Sequence, residues 1–371
     1  MRPAQLTVKL SAVRPEAMLD LLRELVEVES PTGDDEGLAA MGARMARELG
    51  AVGAETQLLG RHVRADLPGE GAPLLLLGHI DTVWERGTLA RLPFRVEDGR
   101  AYGPGSYDMK AGLVLILAAI EAAGRERRPL RVFLTADEEI GSPTGRPLIE
   151  AAAQGVAAAL VAEPPLPNGD LKTARKGLGR FQLRVTGRAA HAGVASPTSG
   201  NAIAELARQI VRLHALNDEE RGISVNVGVV TGGTRDNVVP AEAEARLDVR
   251  VTRAEDAAPL EHDLVSLRPE LPGTAVVVTG GYTRPPLERS EGAGRLFARA
   301  REHGRALGLD LGEGSSGGGS DGNLVGALGV PVLDGLGATG AGAHADDEHV
   351  IVSSLPERAE LLARLLRDPG L

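Results

Sequence analysis

Seven side chains of this sequence are of types that bind divalent metals or move protons, and their placement repeats. His79 and Asp81 come after the apolar run Leu74 to Leu77, Glu138 and Glu139 after Leu130 to Thr135, and Glu163 after Val156 to Ala162. His344 closes a glycine-rich loop beyond Val330 to Leu333, and Asp108 opens the apolar helix expected over Gly112 to Ala123. Imidazole and carboxylate ligands suit Zn²⁺, with Co²⁺ or Mn²⁺ as alternatives. The set is larger than one ion needs. It matches two divalent ions roughly 3.5–4 Å apart that share a carboxylate. His79 and Asp81, two residues apart on extended backbone, read as a ligand pair or as a ligand with its orienting partner. On extended backbone Glu138 and Glu139 point to opposite sides, so one can ligate while the other acts as general base. Taken singly, each group has an ordinary explanation: a satisfied polar histidine, a solvated acidic pair, a helix cap. Their recurrence at four strand ends outweighs those explanations.

Wholly apolar runs ending abruptly in polar residues are the mark of strands buried on both faces of an α/β sheet. Ligands of such sheets collect beyond the carboxyl ends of the strands. Helical spacing is expected over 14–30, Leu38 to Leu49 (with Thr32 as a candidate start) and Ala293 to Leu307, and a strand pair over Leu58 to Leu67. The texture changes between 175 and 282. There, strands at Gly179 to Val185, Ser224 to Val230, Ala243 to Val251 and Ala275 to Thr279 are joined by an amphipathic helix at Asn201 to Leu216 and a second helix at Ala254 to Leu267. That order is βαββαβ, a self-contained ferredoxin-like unit. The expected architecture is an α/β catalytic domain with a mixed, mostly parallel sheet, formed by 1–174 and 283–371 and interrupted by the 175–282 insert.

Composition narrows the function. The 371 residues carry a formal net charge of -10 and no basic run, and aromatics make up only 2%. Both facts argue against nucleic acid or anionic membrane as partner. There are no cysteines, so thiolate catalysis and thiolate-bound zinc are excluded. Met1 to Val13 lack the apolar core of a secretory signal, and no apolar run is long enough to span a bilayer, so a cytoplasmic location is expected.

Gly78-His79-Ile80-Asp81-Thr82-Val83, Gly103 to Lys110, Asp137-Glu138-Glu139 and Ala162-Glu163-Pro164 resemble, in order and spacing, the M20 metallopeptidase family. The stretch Gly87 to Lys110 and Gly317-Gly318-Gly319-Ser320-Asp321 are most like its glutamate carboxypeptidase branch. The resemblance implies that Asp108 bridges two metals, with His79 and Glu163 completing one site and Glu139 and His344 the other. It implies Asp81 as the partner that orients His79, and Glu138 as the base that takes a proton from the attacking water and returns it to the leaving amine. A cis peptide after Asp108 is implied as well. The insert becomes a dimerisation or lid domain, with His191 supporting the oxyanion from the partner subunit of a homodimer. Asn226 falls in its substrate-facing stretch. Arg284 and the N–H groups around Gly318 would meet a substrate's free carboxylate, for which a planar guanidinium is suited. The substrate implied is a small peptide or an N-acyl amino acid. His62, His214, His262 and His303 match no motif. His349 is a rival to His344 that the pattern disfavours. The acidic surroundings of His344, and Lys176, depart from the pattern and bear on substrate choice.

Overall fold

The computed structural model describes residues 14–195 and 200–371. The reading of Met1 to Val13 therefore lies outside the described residues. They form two compact units. One holds the described residues up to Ala174 together with Arg289–Ser316 and Ser320–Leu371; the other holds Arg175–Glu288 and Gly317–Gly319. Among the described residues no helix is long and apolar enough to cross a membrane.

In chain order the elements are α1 (Pro15–Val26), α2 (Asp35–Ala51), β1 (Glu55–Leu59), β2 (His62–Leu67), β3 (Leu74–His79), β4 (Arg95–Glu97), β5 (Arg100–Tyr102) and α3 (Ala111–Ala123). Next come β6 (Leu130–Thr135), α4 (Arg146–Ala152), β7 (Ala158–Val161), β8 (Leu171–Arg175), β9 (Gly177–Thr186), α5 (Ala202–His214), β10 (Ser224–Gly232), β11 (Glu242–Val251), α6 (Ala254–Val265) and β12 (Ala275–Arg284). The chain closes with α7 (Glu291–Arg305), β13 (Glu313–Ser316), α8 (Asp321–Gly326), β14 (Val332–Leu333), β15 (Gly340–Ala341), β16 (His349–Ile351) and α9 (Ser354–Arg367).

The first unit is built on a six-stranded sheet in the order β1-β2-β6-β3-β7-β14. Its four strands β6-β3-β7-β14 are parallel, and β1 and β2 join antiparallel. All six residues of β3 are buried, as the leucine run requires. Leu74 and Leu76 join the core shared with α1, α2, α3 and α9, while α8 packs on β3 and β7 and α4 on β6. Full burial of each leucine stabilises the sheet by roughly 2 kcal/mol. α3 is apolar on every face because every face is covered, with eleven of its thirteen residues buried. The helix expected from Leu38 begins earlier, at Asp35, because the Asp34 side chain rather than Thr32 caps it through the Gly37 N–H.

A second sheet in this unit, β15-β16-β5-β4, has no counterpart in the sequence reading. Its strands are two or three residues long, and β4 is exposed throughout, so no hydrophobic period marks them.

The second unit is a four-stranded antiparallel sheet, β10-β11-β9-β12, with Leu206, Leu213, Leu260 and Leu264 of α5 and α6 in the core against Phe181, Leu183 and Val249. β12 runs five residues past the expected Thr279, to Arg284, because it pairs with β9 along its whole length. The unit boundary therefore falls after Glu288 rather than Tyr282.

Candidate metal centre

Strand register assembles the site. β3 pairs in parallel with β6, placing His79 beside Thr135, and with β7, placing Leu77 beside Val161. Neighbouring strands lie about 4.8 Å apart. The residues just past His79, Thr135 and Val161 must therefore emerge at one edge of the sheet, and among them are Asp81, Glu138 with Glu139, and Glu163. Asp108 enters from the tight turn ahead of α3, before a cis peptide between Asp108 and Met109. Gly112 lets that turn seat closely, since a Cβ there would lie 2.1 Å from the Ala162 carbonyl oxygen. His344 arrives in the turn between β15 and β16, with a left-handed backbone (φ 63°).

The carboxylate of Asp108 stands between the two histidines. Its Oδ1 is 3.2 Å from His79 Nε2, and its Oδ2 is 3.5 Å from His344 Nε2. Glu163 Oε1 lies 3.6 Å from His79 Nε2, and Glu139 Oε2 lies 3.3 Å from His344 Nε2. A carboxylate oxygen of Glu138 is within 4.8 Å of ligand atoms of both His79 and Glu163. His79 is buried, whereas the His344 side chain is half exposed. His349 is elsewhere: it packs on the Tyr102 ring with centroids 5.1 Å apart.

The local field favours positive charge. Burial alone would push His79 down, but the Asp108 and Asp81 hydrogen bonds and the charges of Asp81 and Glu163 hold it well above its ordinary value. Asp108 and Glu139 push His344 up to about 10 against the effect of burial. Asp108 is itself held far below the usual carboxylate range by His344 and His79, although burial opposes this. A field that keeps protons on two imidazoles holds metal cations by the same means, and those cations displace the protons. The donor set fits such ions in a second way. Glu139 Oε1 is buried and has no hydrogen-bond partner among the described residues, which in a folded interior calls for a cation or water.

Asp81 meets His79 through its main chain as well as its side chain, and the backbone at Glu138 and Glu139 is not extended. The nearest partner of His79 Nδ1 is the main-chain carbonyl of Asp81, at 2.9 Å, while the Asp81 carboxylate is at 3.4 Å. A proton on Nδ1 leaves Nε2 as the lone-pair nitrogen facing Asp108 and Glu163. Besides facing His79, the Asp81 carboxylate accepts from the N–H groups of Glu138 (3.2 Å) and Glu139 (3.3 Å) and from Thr32 Oγ1 (2.8 Å). The reason is that Glu138–Ile140 form one helical turn, not extended backbone, and its first N–H groups need an external acceptor. From that turn Glu138 still reaches the His79 side and Glu139 the His344 side.

Sequence reasoning missed two supporting acids. Asp321 accepts from Thr135 Oγ1 at 2.6 Å and from Ser142 Oγ, bracketing the segment that carries Glu138 and Glu139. The signal was its place beside the Gly317-Gly318-Gly319 triplet. Glu348 carried no signal, because it reads as the last of a surface run with Asp346 and Asp347.

The substrate-side candidates all lie in the second unit. Asn226 is exposed on β10, opposite Asp248. His191 is exposed, and its Nδ1 accepts from the Gly193 N–H at 3.1 Å, so Nε2 carries the proton and is a donor. Arg284 is buried at the end of β12, and a Cβ on Gly319 would come within 2.8 Å of its Cδ. The carbonyls of Gly318 and Gly319 accept from Arg175 Nη1 at 3.0 and 3.1 Å, and that of Gly317 accepts from Arg250 Nη1. The glycines are thus engaged through their carbonyls, whereas their N–H groups are the expected contacts.

The model of Peptidase family M20/M25/M40 matches residues 75–368. The chain belongs to this family. It is 34% identical to carboxypeptidase G2 of Pseudomonas sp. (strain RS-16) over 95% of this chain and 89% of that protein. It is 31% identical to succinyl-diaminopimelate desuccinylase of Stenotrophomonas maltophilia (strain K279a) over 94% of this chain and 98% of that one. Among solved structures, the YXEP protein of Bacillus subtilis, titled a dinuclear metal binding peptidase from the M20 family, matches with a TM-score of 0.69 at 18% identity, covering 95% and 97% of the two chains. This M20 protein is a metal-dependent hydrolase, a peptidase or amidohydrolase, on the α/β fold of its family.

Proposed function

We propose that this M20 hydrolase cuts the amide bond of a small peptide or N-acyl amino acid and releases a C-terminal amino acid, glutamate first among them. The observation that carries the reading is the Asp108 carboxylate, with one oxygen toward each histidine and a further carboxylate beside each. Under this reading Asp108, His79 and Glu163 would hold one divalent ion, and Asp108, Glu139 and His344 the second. When bound, two such ions, Zn²⁺ with Co²⁺ or Mn²⁺ as alternatives, supply Lewis acidity and lower the pKa of water. Glu138 takes the proton of the attacking water and passes it to the leaving amine nitrogen. Asp81 holds the Glu138–Glu139 turn at its N–H groups and so sets where that base stands. Arg284 is assigned to the substrate's free carboxylate, aided by Asn226 and the Gly318 segment. His191, whose Nε2 is its donor nitrogen, is assigned to the oxyanion. A cytoplasmic homodimer formed through the insert completes the proposal.

A second reading, removal of an N-acyl group from an amino acid, is favoured by the likeness to the desuccinylase. A panel of folate-like glutamyl conjugates, dipeptides, and acetyl- and succinyl-amino acids, each with and without chelator, decides between the two. Release of glutamate from the conjugates, lost with chelator and restored by Zn²⁺, is the expected result. Turnover confined to the acyl-amino acids supports the second reading, and no chelator-sensitive hydrolysis overturns both.

A further inference from the structure

The acidic run Asp346-Asp347-Glu348 divides in the fold. Asp346 pairs with Arg91 at the surface, while Glu348 is 3% exposed. Glu348 Oε1 accepts from the N–H groups of Tyr107 and Asp108, both at 2.9 Å. Its Oε2 accepts from the Gly105 N–H at 2.8 Å and from the indole N–H of Trp84 at 2.7 Å. Its main-chain carbonyl accepts from the Gly103 N–H, and its own N–H donates to the Ala345 carbonyl. One residue therefore grips the 103–108 segment with side chain and backbone while closing the turn that bears His344.

The two halves of the centre do not depend equally on that grip. His79 and Glu163 leave β3 and β7, whose ladder fixes them. The Asp108 turn has another anchor at His79 itself, whose N–H donates to Met109 Sδ, and a further one in Lys110 Nζ, which donates to the Val28 carbonyl. His344 has no such ladder. It is half exposed, has a left-handed backbone, and sits between strands of two and three residues.

We propose that Glu348 is the positioning residue that sets the separation of Asp108 and His344, so that it governs retention of the ion on the His344–Glu139 side and not of the ion on the His79–Glu163 side. This rests on the two-metal reading above. The oxygens of Glu348 are matched to four donors, so a glutamine of the same shape must turn an NH₂ group toward N–H groups in either orientation.

The test titrates Zn²⁺ alone into metal-free wild type, Glu348→Gln, Trp84→Phe and the double variant, with a chromogenic competitor reading each affinity and thermal unfolding of the metal-free proteins read alongside. Wild type is expected to bind two ions. Glu348→Gln is expected to weaken one site by about 10–100-fold, the range for losing a partner that orients a metal ligand, and to leave the other within about twofold. Trp84→Phe removes one of the facing donors, so the double variant is expected to recover part of the loss. Unchanged affinities, or equal loss at both sites, overturn the proposal, and a lowered unfolding temperature with both affinities intact assigns Glu348 to stability alone and also overturns it. If Glu348→Gln does not fold, Trp84→Phe decides: selective weakening of one site supports the proposal and unchanged binding overturns it. A wild type that binds fewer than two ions fails the two-metal reading itself, a result distinct from the others.

Discussion

Glu138 and Glu139 are chemically identical neighbours whose surroundings differ. Glu139 faces His344 and has a buried oxygen without a partner among the described residues, whereas Glu138 stands within reach of His79 and Glu163. If Glu138 is the base and Glu139 a ligand, removing each has a separate signature. Glu138→Ala is expected to lower kcat by at least about 10²–10⁴-fold, the usual worth of a positioned acid–base group, with metal content near wild type. Loss of metal from Glu138→Ala, measured by elemental analysis after gel filtration, would reassign it as a ligand. The identities of these side chains were legible because carboxylates and histidines stand out against apolar runs. Spacing alone leaves open which of the two would ligate; the family resemblance proposes Glu138 as base and Glu139 as ligand, and the turn that Asp81 holds from another strand end is what aims them at different histidines.

Elements fix these side chains through close approaches that tolerate no extra atoms. Gly112 makes such an approach at the site, since it seats the first turn of α3 on the end of β7. Gly112→Ala is expected to cost about 3 kcal/mol through overpacking, measured by urea unfolding, and to separate Asp108 from Glu163. Gly50, in the last turn of α2, has open space where its Cβ would go, so Gly50→Ala is expected to stabilise by about 0.5–1 kcal/mol. Should the two substitutions prove equal, this account of α3 seating fails. Another element contact carries a pH signature. Asp368, just beyond α9, is subject to burial that would raise it, but Arg299, the Gly370 N–H and His303 outweigh this and hold it at about 2. A carboxyl lowered on folding contributes stability that is fully present above its unfolded pKa and lost as pH falls through the folded value. Asp368→Asn is therefore expected to destabilise the protein at pH 5–7 and to flatten the loss of stability between about pH 4 and 2. Acid unfolding monitored by circular dichroism checks this. The long buried strands and amphipathic helices were readable from periodicity. The β15-β16-β5-β4 sheet was not, because its short strands are set by contacts distant in sequence.

For the molecule as a whole, the insert was visible as a change of texture, but its upper boundary was not, since pairing with β9 carries β12 on to Arg284. The proposed homodimer has a test that needs no structure. Glu138→Ala and His191→Ala proteins, each inactive alone, are mixed under conditions that exchange subunits. If His191 serves the partner's site, half the dimers become mixed, each with one intact site, and activity returns to about one quarter of wild type. If nothing returns although exchange is verified, His191 does not act across the dimer. The scarcity of aromatic residues has its own effect. The chain contains a single tryptophan, Trp84, whose indole N–H ends on the same Glu348 carboxylate that grips the Asp108 turn. Tryptophan emission from the entire protein thus arises from one ring at one hydrogen bond beside the centre. The molecule carries its own unlabelled optical reporter, and its colour and quenching track local order at the site even when no substrate is turned over.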